Sequence, residues 1–234
     1  MKLIYIIPIF MLLLVEVIAL FSKFTAALLY SFWLFILIIF LLRKKSDKNL
    51  HEFYIALTAL PGIRIMQFAA PMSMLSYSYQ ILVIYSTLFI VSLMYARYMK
   101  INLFSLHKIK SLQYLFLLVP LAIIASLIGA ISGNLPILQI NYSNILILLF
   151  ASYTQALFLF GILQNKLQES AGKISIVLIA LIPSLFLLAH ANLVLITLLA
   201  NLIFSYIFYK TKNLNLILIP EIIINSLQFI IFKI

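Results

Sequence analysis

The chain has 234 residues, of which 66% are hydrophobic and 9% charged, with no cysteine and a formal net charge of +11. Soluble domains carry about a quarter charged residues, so this composition, with a mean hydropathy of +1.22, excludes a water-soluble protein and marks a polytopic membrane protein. The basic residues cluster between apolar runs, where they orient helices rather than bind nucleic acid, and the lack of cysteine excludes disulfides and thiolate chemistry.

In hydrocarbon every backbone amide needs a partner within its own segment, and continuous apolar runs without period-two alternation predict helices rather than a barrel. The expected fold is therefore all-α. A ruler of about 20 apolar residues per span gives about nine transmembrane helices, at 3–21, 25–42, 53–72, 77–96, 112–131, 143–165, 174–191, 193–209 and 214–232. The first run carries Glu16, is long for a signal core and lacks a small-residue cleavage site, so it reads as a helix rather than a secretory signal. The third contains Pro61, Gly62 and Arg64 and ends at Pro71, which predicts a broken or re-entrant segment.

Alternating the spans from a cytoplasmic N-terminus puts Arg43 to Lys48, Arg97 to Lys110, Lys166 with Lys173, and Lys210 with Lys212 on one side. The uncharged loop from Ser132 to Tyr142 falls on the other, as the positive-inside bias expects. The chain reads as a single multi-pass domain of the cell membrane, with accessory helices over 1–142 and a core over 143–234. Its expected surroundings are the lipid bilayer and a peptide or membrane-protein partner.

Polar residues inside apolar spans are expensive and mark sites. Gln155, His190, Glu221 and Asn225 are such residues in the C-terminal third. Arg64 and Glu16 are two more, read either as a pair across the bundle or as an arginine snorkelling to the interface, with snorkelling preferred. His51 and His107 lie in basic loops and are expected to be solvated. Pro120, Pro183 and Pro220 fall inside spans, and Pro220 directly precedes Glu221.

The segment from Gln155 through Gly161, Leu163 and Gln164 has the shape of a motif written Glu-Glu-x-x-Phe-Arg-Gly-x-Leu-Gln. Phe186 and His190 follow as Phe-x-x-x-His, and Phe208, Thr211, Leu214, Glu221 and Asn225 follow the order of a closing Tyr-x-x-Thr-x-x-Leu and His-x-x-x-Asn. Over roughly 151–229 the chain resembles the CPBP (Abi) intramembrane proteases, the family of the type II CAAX prenyl endopeptidase and bacteriocin-processing proteins. The resemblance implies a metal-independent glutamic-type peptidase without a cofactor, in which the first motif-one Glu activates a water. Here that position is Gln155, and a carboxamide is no such base. The second Glu and the Arg, which the family places four residues apart on one helix face, are Ala156 and Phe160, a joint loss that leaves no orphaned charge. Glu221 takes the place of the closing His.

These departures support a pseudoenzyme, a CPBP-like membrane protein without the usual proteolysis and with a peptide-binding role. Two alternatives stay open. One is an active peptidase in which Glu221 serves as a relocated base, His190 and Asn225 stabilise the oxyanion, and Gln155 lines the pocket. The other is a structural subunit or scaffold in which these residues hydrogen-bond three helices together. One His, one Glu and amides fall short of a zinc-binding set, so no metal is expected.

Overall fold

The computed structural model describes residues 3–42, 48–68, 75–107, 115–116, 118–120, 122–124, 142–188 and 191–231. Outside their turns these residues are helical, and no strand occurs among them. Helices α1 (Leu3–Ala19) and α2 (Lys23–Leu42) form the first hairpin, followed by α3 (Lys48–Leu57), α4 (Ala59–Phe68) and α5 (Tyr77–Tyr98). After a 3-10 turn at Leu103–Leu106 come α6 (Tyr142–Ala156), a π-helical stretch at Leu157–Gln164 and α7 (Asn165–Ala171), which form one continuous rod. Helices α8 (Ile174–Leu185), α9 (Ala191–Thr211) and α10 (Asn215–Ile231) complete the bundle.

Four helical rods, at 23–42, 78–98, 145–171 and 194–211, are long and apolar enough to cross a membrane. Helix α2 shows why they belong in lipid. Its buried stripe, Ala26, Tyr30, Trp33 and Leu37, repeats at helical spacing, yet its outward face carries Phe24, Leu28, Phe32 and Phe35, all exposed. A helix apolar on every side is at home only where its surroundings are also apolar.

The third predicted span is broken, as its proline and glycine suggested. The break falls at Thr58, between α3 and α4. The Thr58 hydroxyl donates to the Ile55 carbonyl at 2.6 Å and lies 2.8 Å from the Tyr95 hydroxyl on α5. Pro61 then sits in the first turn of α4, where its missing N–H costs nothing. The sixth span runs past its predicted end to Ala171, so Lys166 and Glu169 are helical. The fifth span lies mostly outside the described residues.

Arg64 does not snorkel. Its guanidinium forms a fork on the Glu16 carboxylate, with Nε donating to Oε1 at 2.5 Å and Nη2 to Oε2, and Tyr30 donates its hydroxyl to the same carboxylate. Arg64 Nη1 donates to Gln67 at 2.5 Å, and the guanidinium carbon lies 5.1 Å from the Phe68 ring centroid and 4.8 Å from that of Phe186. The Arg64 side chain is 14% exposed and that of Glu16 4%. A planar fork matched to a carboxylate and stacked on aromatic faces returns more of the cost of burial than a lone charge reaching for water. The cluster joins α1, α2, α4 and the turn after α8.

The segment after α5 folds back into the bundle rather than staying in solvent. Leu106 is buried, its carbonyl accepts from Leu214 N at 2.7 Å, and its Cδ1 would stand 3.2 Å from a Cβ at Gly161. The glycine at 161 thus admits the loop against the π-helical turn.

Replacing Glu16 by Gln is expected to strand the Arg64 charge and cost about 3 kcal/mol, whereas replacing Glu16 and Arg64 together by Leu recovers most of that loss; thermal unfolding of the detergent-solubilised chain measures both. Gly161→Ala is expected to change stability by no more than about 1 kcal/mol, because the side-chain ends it meets can shift. Gly161→Leu is expected to cost about 1–3 kcal/mol by overpacking and to increase protease cleavage at 101–107.

Candidate functional site

Motif one lies on the α6 rod, and its second half is the π-helical stretch Leu157–Gln164. A π turn is rare and costly in a helix and recurs where a helix must widen to present groups. Here every residue of the stretch is buried. Gln164 Nε2 donates to the Ser205 carbonyl of α9 at 2.6 Å, and Gln168 one turn on donates to the Tyr209 carbonyl at 3.2 Å. Two amides therefore tie the rod to α9, and the Gly161, Leu163 and Gln164 positions of the motif serve packing.

The positions that would carry charge are apolar. Ala156 and Phe160 are fully buried, and the Phe160 ring faces that of Phe208 at 6.1 Å between centroids and 45° between planes. Phe160 stands at the Arg position of the motif and Phe208 at the Tyr position, so an aromatic contact fills the place of a polar one. Separated, tilted rings of this kind pack favourably.

Gln155 is half-buried, and its Oε1 accepts from the Tyr85 hydroxyl of α5 at 3.1 Å. Glu221 is 5% exposed on α10, a helix packed against α6, and its Oε2 has no hydrogen-bond partner among the described residues. No hydrogen bond joins Gln155 to Glu221. Pro220 removes one backbone donor from α10 beside Glu221, leaving the Leu216 carbonyl without its helical partner. Asn225 lies on α10 one turn beyond Glu221, and its side chain is outside what is described. His190 lies outside the described residues. Phe186, at the head of motif two, holds the Arg64 guanidinium.

His107 belongs near this core, contrary to the solvated loop expected from sequence. It is half-buried, its Nδ1 lies 2.7 Å from Asn215 Oδ1 at the start of α10, and its ring stacks on Tyr153, with centroids 6.1 Å apart and planes at 15°. His51 is likewise half-buried, on α3. The signal for His107 is present in its neighbours: Ile101, Leu103 and Leu106 give the basic loop an apolar inner side. Nothing comparable pointed to Tyr85 or Tyr153 among so many aromatic residues.

Two cavities are described. One, of about 160 Å³, is mostly apolar and lies between α4 and α5, against Gly62, Met66, Leu88 and Val91. The other, of about 310 Å³, is polar and lies where α5 and α9 end, against the start of α7. Gln155 and Glu221 line neither. No group of three or more His, Asp and Glu side chains suited to a metal occurs among the described residues.

No curated protein and no solved structure matches the chain. Residues 137–227 match a family model described as Type II CAAX prenyl endopeptidase Rce1-like. That segment holds the π-helical rod, the Phe186 turn and the Glu221 helix, and the match supports membership of the CPBP family of CAAX protease-like membrane proteins.

Proposed function

We propose that this protein is a non-proteolytic member of its family, a membrane-embedded binding protein that engages an extended peptide or a partner's membrane segment without cutting it. It resides in the cell membrane with its N-terminus and the basic end of the bundle on the cytoplasmic side. The observation that carries the reading is the contact of Phe160 with Phe208. A peptidase of this type needs a base and a charged pair on the motif-one helix; this helix offers a carboxamide already engaged with Tyr85 and a close-packed aromatic contact. Neither moves a proton from water.

The competing reading, an active peptidase using Glu221 with His190 and Asn225, draws on one feature. Glu221 is a buried carboxyl with an oxygen that no described residue satisfies. Desolvated carboxyls of that kind serve as bases elsewhere. The two readings differ in what Glu221→Gln does.

The test is incubation of the purified chain with a fluorogenic prenylated CAAX-type peptide, following both cleavage and fluorescence anisotropy. The expected outcome is saturable binding with no cleavage above background, in the wild type and in Glu221→Gln alike. Turnover by the wild type that falls about 10²-fold or more in Glu221→Gln establishes the peptidase instead. Absence of both binding and cleavage points to the structural-subunit alternative.

A further inference from the structure

The polar cavity at the basic end gathers three ammonium groups from three elements. The wall of this cavity of about 310 Å³ includes Lys100 after α5, Lys166 on α7 and Lys212 after α9, with Asn102, Ser105 and Asn165 as neutral polar residues. Glu169 also lines it. Lys166 is matched by acids, since its Nζ lies 2.8 Å from Glu52 and 3.6 Å from Glu169. Lys212 donates to Asn165 Oδ1 at 2.6 Å and sits 5.7 Å from the Phe208 ring centroid. Lys100 is exposed. Counted with Glu52, the wall carries three ammonium groups against two carboxylates, and so a net positive charge.

Two of the three lysines are conformationally expensive. Lys100 has φ of 55° and Lys212 of 50°, left-handed conformations that follow a helix end and that glycine adopts at least cost. A basic residue near a helix C-terminus is commonly explained by the negative end of the helix dipole. Here that position is already taken: Arg97 stands in the last turn of α5 and Lys210 in the last turn of α9. A second lysine on each helix, placed one step further in a disfavoured conformation and turned toward one shared cavity, needs another reason.

We propose that this cavity binds a phosphate group, supplied by the headgroup of an anionic phospholipid in the adjacent leaflet. Lysines recognise phosphate as point charges, and basic pockets between membrane helices at this level hold acidic headgroups. The Asn165 amide, whose Oδ1 accepts from Lys212, adds N–H donors for the remaining phosphate oxygens. The site is separate from the motif-one core, and it stands whether or not that core cuts peptides.

The test compares thermal unfolding of the purified chain in phosphatidylcholine vesicles, in phosphatidylcholine with phosphatidylglycerol, and in phosphatidylcholine with added inorganic phosphate. The variant of interest carries Lys100→Gly and Lys212→Gly, which removes both charges at positions where the backbone favours glycine, so the fold is retained. Lys210→Gln, a last-turn change outside the cavity wall, is the control. Stabilisation by phosphatidylglycerol is expected in the wild type and the control, with apparent affinity falling about fivefold for each cavity lysine removed. A response to inorganic phosphate but not to phosphatidylglycerol, lost in the double variant, keeps the phosphate site and reassigns its source to a free anion. Equal responses in wild type and double variant, or no response to either ligand in the wild type, overturn the proposal.

Discussion

A polar side chain that enters an apolar bundle must find its partner on another helix, and the choice of partners decides how this bundle is assembled. Dispersion alone discriminates weakly among helices whose every face is apolar, because lipid tails pack against Leu and Phe as another helix does. Glu16, Tyr30 and Arg64 supply the discrimination. Their fork brings α1, α2 and α4 into one register, and Phe186 over the guanidinium adds the turn after α8. The N-terminal helices are thereby fastened to the C-terminal core at the residue that opens its second motif.

The same constraint explains the form that motif one has taken. A buried carboxylate and guanidinium are tolerable together, and either alone costs several kcal/mol. A chain that gives up one has reason to give up both. Ala156 and Phe160 are that outcome, and Phe208 facing Phe160 shows the space repacked rather than left open. What the motif retains is its mechanical part: Gly161, which lets Leu106 approach the widened turn, and Gln164, which binds the α9 backbone.

Much of the architecture was legible because it rests on length and composition. Span positions follow from the thickness of hydrocarbon, and the predicted break in the third span followed from Pro61 and Gly62. Its location at Thr58 did not, because it depends on a tertiary bond to Tyr95. Arg64 was misjudged for a related reason. From one sequence, an arginine near a helix end is equally able to reach water or an acid 48 positions away, and only the packed bundle decides. His107 reads as solvated from its charged neighbours, yet it is half-buried because Asn215, at the start of α10, supplies a partner. The candidate site was legible as a set of residue types. Its connections through Tyr85, Tyr153 and Asn215 were not, since they join segments far apart in the chain.

Glu221 is one of several buried groups with an oxygen that no described residue hydrogen-bonds, the amide oxygens of Gln164 and Gln168 among them. Ser92, Thr154 and Ser205 have hydroxyls unpaired among the described residues, but a serine or threonine in a helix can rotate its hydroxyl onto a carbonyl one turn back at little cost. A carboxyl group has wider recourse, because its neutral form donates an O–H as well as accepting. Pro220 also removes one backbone N–H from the same stretch of α10. Glu221 is thus a buried carboxyl whose Oε2 no described residue satisfies, carried on a helix that packs against the motif-one rod.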